Sequence, residues 1–140
     1  MSRIFWDTNL FVYLFEDYKA FSKQVMNLRS RMLIRGDQLF TSAITLGEIL
    51  VKPIQNADFK AVAYYQNLIT TTAVVVPFEE KAALVYAGLR ADRSLRPPDA
   101  LQLACAATAG VDLFITNDIR LHSKQIQGIQ FIVPLDRVPI

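Results

Sequence analysis

One cysteine, Cys105, and one histidine, His122, are all that the 140 residues contain of either type. A lone cysteine excludes an internal disulfide framework and points to a reducing compartment. One of each also excludes a zinc centre built from Cys and His ligands. Cys105 lies in the apolar run Leu103-Ala104-Cys105-Ala106-Ala107, where the expectation is an inert core residue and not a nucleophile. Long apolar stretches are also lacking. Gln102, Gly110 and Asp112 interrupt the longest ones, so no helix is expected to span a bilayer. Near the N-terminus, Asp7 stops the run Ile4-Phe5-Trp6, and no small-residue cleavage site follows; this does not read as a signal peptide. The expectation is a cytoplasmic protein without a membrane partner. Neither sign of charge dominates: 15 basic against 13 acidic residues leave a formal +2, which neither demands nor forbids a nucleic-acid partner.

What the sequence does have is enough apolar material, 52%, to build one core without staples. No repeat, low-complexity tract or Gly/Ser linker divides it, so residues 1–140 read as a single domain. Short apolar runs alternate with helical patterns. Arg3–Trp6 reads as a first strand, followed by a helix from about Asn9. Phe21, Val25, Leu28 and Met32 recur with the spacing of an amphipathic helix that Gly36 ends. Leu39–Thr41 is a second strand. Ser42 caps the next helix, which carries Glu48 and stops near Pro53. Asp58 caps another helix, running to about Thr70. Ala73–Val76 reads as a buried β-branched strand, and Glu79 to about Leu95 as helix. Pro97-Pro98-Asp99 starts a helix that ends before Gly110. Leu113–Thr116 and Ile129–Val133 are strands, with a short helix or turn from Asn117-Asp118. The fold class is α/β: a parallel twisted sheet of about five strands, with right-handed crossovers and helices on both faces. Sites in such sheets form beyond the carboxyl ends of the strands.

Four acids stand where that edge should be. Asp7 follows the first strand, Asp118 lies just past the strand ending at Thr116, Asp99 sits at a helix start, and Glu48 is on the helix after the second strand. Singly, each could cap a helix or sit in solvent. Gathered at one edge, four like charges repel, which a purely structural design avoids. A hard divalent cation, Mg²⁺ or Mn²⁺, resolves the conflict. It can also activate water and stabilise the oxyanions of a phosphodiester transition state.

These residues resemble a known family. Ile4-Phe5-Trp6-Asp7-Thr8-Asn9, Thr41 to Glu48, Pro97-Pro98-Asp99-Ala100-Leu101-Gln102-Leu103-Ala104 and Leu113 to Asp118 look like the four blocks of a PIN-domain nuclease. The nearer likeness is to the toxin of VapBC-type toxin–antitoxin pairs. The resemblance implies a metal-dependent endoribonuclease acting on RNA such as tRNA, rRNA or mRNA. It also implies inhibition by a cognate antitoxin, frequently on a toxin homodimer. In this chain Asp7, Glu48, Asp99 and Asp118 match the catalytic, metal-holding quartet, Thr116 the supporting hydroxyl, and Asn9 a polar neighbour of the first acid. One position departs: Ile119, Arg120 and Leu121 follow Asp118, where some members carry a fifth acid, so one metal ion is expected.

Arg90, Arg93 and Arg96 recur every third residue before Pro97. They are candidate phosphate contacts at the rim of the acidic pocket, or else a solvated face. Lys19 and Lys23 are a weaker pair. Phe11, Tyr13, Phe15, Tyr18 and Phe21 exceed what one helix face buries; a groove for an antitoxin segment or a dimer contact would use the surplus. His122 is the only candidate imidazole base and is expected to be a surface residue. A receiver domain would need adjacent acids after the first strand and an Asp ending the third, and Pro77 stands there instead. A dehalogenase-type phosphatase would need an acid where Asn9 is. The remaining alternative is a catalytically inactive PIN-like binder of RNA or protein.

Overall fold

A computed structural model describes residues 1–140. Its centre is a five-stranded sheet in the order β3-β2-β1-β4-β5, with every pairing parallel. The strands are β1 (Arg3–Trp6), β2 (Gln38–Ser42), β3 (Val74–Val76), β4 (Val111–Ile115) and β5 (Ile129–Val133). Six helices connect them: α1 (Thr8–Phe15), α2 (Ala20–Arg35), α3 (Ala43–Gln55), α4 (Phe59–Thr72), α5 (Glu80–Leu89) and α6 (Pro97–Ala109). No helix is long and apolar enough to cross a membrane.

The period-two alternation of the strands splits the core in two. Ile4, Trp6, Leu39 and Leu113 face one layer, packed under Leu10, Phe11, Val25, Leu28 and Met32 of α1 and α2. Phe5, Phe40 and Phe114 face the other, under Leu103 and Ala106 of α6. Phe5 and Phe114 stack with centroids 5.0 Å apart. Both faces are therefore covered, which is why Ile4–Trp6 of β1 and Leu113–Ile115 of β4 read as continuous apolar runs. The strand order reverses between β1 and β4, so the crevice at their carboxyl ends is the topological switch point.

Several boundaries differ from the sequence reading. Pro53 lies inside α3, which continues to Gln55; the proline forgoes the N–H bond to the carbonyl four residues back, and the helix ends within a turn of it. β3 is a half-exposed strand and not a buried one, because it is an edge with one neighbour. α5 ends at Leu89, six residues short of the expected end. There the Asp92 carboxylate accepts bonds from the N–H and hydroxyl of Ser94, a local turn that competes with helix. The aromatic-rich region spans α1 and the start of α2, and its rings pack largely on one another, with Tyr18 and Phe21 half exposed. Phe11 is buried, Tyr13 stacks on Phe21, and Phe15 stacks on Tyr65 of α4.

Candidate active site

The last residue of β1 hands the chain to Asp7, which is also the N-cap of α1. Its Oδ1 accepts from the Thr8 N–H at 2.8 Å and from Gln102 Nε2 at 3.0 Å; its Oδ2 accepts from Thr116 Oγ1 at 2.7 Å. Burial pushes the Asp7 carboxyl above the ordinary aspartate range. The bonds from Thr116, Thr8 and Gln102 partly counter this, and the nearby charge of Asp99 adds to the rise.

Glu48, on α3, is exposed, and its Oε1 accepts from Thr8 Oγ1 at 2.6 Å. Asp99 sits in the first turn of α6, where the helix N-terminus favours a negative charge. Asp7, Glu48 and Asp99 line one cavity of about 300 Å³, together with Asn9, Thr8 and Gln102. Asp118 lies beside this cavity and not in its lining. It caps the 3₁₀ turn Ile119–Leu121, and both its oxygens are held by the Arg120 guanidinium. Those bonds keep the Asp118 carboxyl below its ordinary range. Thr116 ties the two halves together: its hydroxyl donates to Asp7 and accepts the Asp118 N–H at 3.0 Å.

All four acids thus stand at the carboxyl edge of the sheet, three of them around one cavity. Their carboxylates are not closed upon one another: no group of three His, Cys, Asp or Glu side chains stands close enough to hold one ion. The donor chemistry nevertheless fits a hard cation, being all oxygen. One further observation points the same way. Asn9 lines the cavity, its Nδ2 reaches Thr116 Oγ1 at 3.4 Å, and its Oδ1 is buried without any partner. A buried amide oxygen left without a donor carries a cost that a cation or a water would relieve.

The arginine run is broken up by the early end of α5. Arg90 turns away, its Nη1 donating to the Leu95 carbonyl at 2.7 Å. Arg93 is exposed and pairs with no acid. Arg96 alone of the three touches the quartet, its Nε 3.6 Å from Asp99 Oδ2. Lys19 sits at the N-cap of α2, and neither it nor Lys23 pairs with a site acid. His122 is half-buried, its Nε2 donating to the Thr116 carbonyl at 2.7 Å; it lines a different cavity.

Two contributors escaped the sequence reading. Gln102 is 4% exposed. Its Nε2 reaches Asp7, Thr8 Oγ1 at 3.2 Å and Thr45 Oγ1 at 2.7 Å, and its Oε1 accepts from Ser42 Oγ. Its signal was present: an amide inside an apolar helix must find partners. Arg120 is the second. A larger groove of about 590 Å³ adjoins the acid cavity, sharing Thr8, Val12 and Glu48 with it and walled by Phe15, Ile49 and Tyr65.

A family model described as PIN domain matches residues 4–126. The fold is similar to a chain of VapBC2 from Rickettsia felis bound to a DNA fragment from its promoter, with TM-score 0.74 and 16% identity, covering 94% of this chain and 97% of that one. It is similar to a chain of DNA-bound VapBC from Salmonella typhimurium, at TM-score 0.70 and 22% identity over 96% and 99%. VapBC-1 from nontypeable Haemophilus influenzae gives TM-score 0.68 and 16% identity over 96% and 98%. At such identities the likeness is one of fold. Among curated proteins no sequence match is found.

Proposed function

The chain belongs to the PIN-domain family, and from that membership we propose that it is a metal-dependent endoribonuclease, the toxin of a type II toxin–antitoxin pair in the cytoplasm. Residues 1–140 act as one nuclease domain in this reading. The observation that carries it is the cavity that Asp7, Glu48 and Asp99, remote in sequence, line together with Asn9, whose amide oxygen has no partner.

The catalytic set is Asp7, Glu48, Asp99 and Asp118, with Thr116 and Asn9 in support. The same four carboxylates would hold Mg²⁺ or Mn²⁺, which supplies Lewis acidity toward water and the phosphodiester oxygens. The chain's own residues do the positioning. Thr116 and Gln102 fix the two oxygens of Asp7 from opposite sides. Thr8 fixes Glu48 through a 2.6 Å bond, and Gln102 bonds both Thr8 and Asp7, so one network orients two acids. Arg96, largely exposed at the Asp99 rim, meets the backbone phosphates of the RNA. Arg90, tied to Leu95, is left out of that role, and Arg93 is available only at longer range.

The antitoxin is expected in the groove between α1, α3 and α4, where Phe15 and Tyr65 offer an apolar wall that opens directly onto Glu48. A segment laid there shields the acids from RNA. The homodimer belongs to the same reading.

Purified chain, free of antitoxin, is expected to cleave mixed cellular RNA with Mg²⁺ or Mn²⁺ and to stop on chelation. Asp7→Asn and Asp99→Asn should each lose at least about 10²-fold in rate while staying folded. Metal-independent cleavage, or full activity in either variant, would overturn the proposal. Metal-dependent RNA binding without cleavage would favour the inactive binding module.

A further inference from the structure

Arg120 stands in the segment after Asp118, where a fifth acid is absent. Its Nε lies 2.9 Å from Asp118 Oδ1, its Nη2 bonds Asp118 Oδ2, and the same Nη2 is 3.8 Å from Asp99 Oδ2. One guanidinium therefore bridges two acids of the quartet from different elements. We propose that Arg120 is a built-in counter-cation of this site, holding Asp118 and Asp99 in the ion-free protein and competing with a divalent ion for them. The proposal rests on the metal-dependent reading above.

The local structure sets this up. The short turn Ile119–Leu121 is anchored by Leu121, which is 2% exposed, while Ile119 is 81% exposed. Leu121 points inward and Ile119 outward, and Arg120 between them returns to its own cap residue. Asp118 Oδ1 also takes the Arg120 N–H at 3.1 Å. Both oxygens of Asp118 are thus occupied by one residue, in the bidentate geometry that suits a guanidinium. A lone pair given to an ion must be withdrawn from that fork. Because the competitor is covalently two residues away, its local concentration stays high at any protein concentration. Arginine also stays charged at every accessible pH, so the competition is not relieved by titration. The side chain is 49% exposed and can swing into solvent once an ion displaces it. Arg96, at 3.6 Å from the same Asp99 oxygen, touches only one acid and bridges nothing.

The test compares wild type, Arg120→Gln, Arg120→Lys and Arg93→Gln. Each is titrated with Mn²⁺ by electron paramagnetic resonance and melted in EDTA and in Mn²⁺, at about 0.1 M salt. Arg120→Gln should bind Mn²⁺ about three- to tenfold more tightly than wild type. It should also melt lower in EDTA and gain more on adding Mn²⁺. Arg120→Lys keeps the charge but loses the fork, and should fall between. Arg93→Gln makes the same change in net charge without touching an acid, and should stay within about twofold of wild type. Arg120→Gln binding Mn²⁺ equally well, or less well, would overturn the proposal; so would an equal gain in Arg93→Gln. No Mn²⁺ binding by any of the four proteins would instead remove the metal-dependent reading, and this proposal with it.

Discussion

Two aspartates of one site are held in opposite ways. Asp7 is pushed toward its neutral form by burial, and Asp118 is held in its charged form by Arg120. For Asp7 the folded pKa lies above the unfolded one. The stability it contributes is complete below the unfolded value, about 3.9, and is lost as the pH rises through the raised folded value. Asp118 contributes the reverse: stability present above its unfolded pKa and lost as the pH falls through the depressed one. Asp7→Asn should therefore be harmless near about pH 4 and stabilising near about pH 7 in chelator. Asn retains the cap through Oδ1, where Thr8 and Gln102 donate. Its Nδ2 can donate to the Thr116 hydroxyl, which rotates to accept in place of the long 3.4 Å bond from Asn9. The check is the difference in melting temperature between variant and wild type across that pH range. A difference that stays flat, or turns negative as the pH rises, would mean that the charge on Asp7 is not a burden to the fold.

At the scale of elements, side-chain chemistry in the connections decides what periodicity leaves open. The segment after Leu89 turns because Asp92 binds Ser94, Lys124 reaches Asp92 at 2.9 Å, and Leu95 is buried in the second core layer. Arg96 is then extended, as the residue before a proline must be, and α6 begins with Asp99 in its first turn. The far end of α6 meets the lead into β5 just as closely. At Gly128, φ is +95°, and an added Cβ would fall 2.5 Å from the Ala107 carbonyl oxygen. Gly128→Ala combines a strained backbone with that clash and should cost about 2–4 kcal/mol, on the order of 10 °C in melting temperature. Gly36→Ala carries only the backbone penalty, since nothing lies within 4 Å of its Cβ position, and should cost about 1–2 kcal/mol. Equal losses in the two variants would mean that the Ala107 contact yields at no cost.

For the whole molecule, the acid cavity and the larger groove adjoin across α1, α3, α4 and α6, sharing Thr8, Val12 and Glu48. An antitoxin segment in the groove would reach the acids without crossing open solvent. In the complex, amide hydrogen exchange should slow along the exposed faces of α3 and α4, and Tyr65→Ala should weaken inhibition about tenfold or more. A complex in which α3 and α4 exchange as in the free protein, while inhibition persists, would place the antitoxin elsewhere.

Strand and helix order, the parallel sheet with both faces covered, and the position of each acid relative to its strand or helix were legible in the sequence alone. They are local: hydrophobic period, caps such as Ser42 and Asp58, and the proline start of α6 depend on neighbours within a few residues. The direction of the crossovers then follows from chain chirality, which puts strand ends and helix starts on one edge. The tertiary structure alone decided what each side chain does there. Asp7 and Gln102 are 95 residues apart and meet at 3.0 Å; Asp99 and Arg120 meet through a turn whose orientation depends on the burial of Leu121. Arg90, Arg93 and Arg96 shared a spacing but not a helix, because Asp92 and Leu95 settled the backbone between them. Hydrogen bonds and ion pairs act over about 3–4 Å, so sequence pattern can assign a residue to an edge, and only packing across elements sets its partner and its charge state.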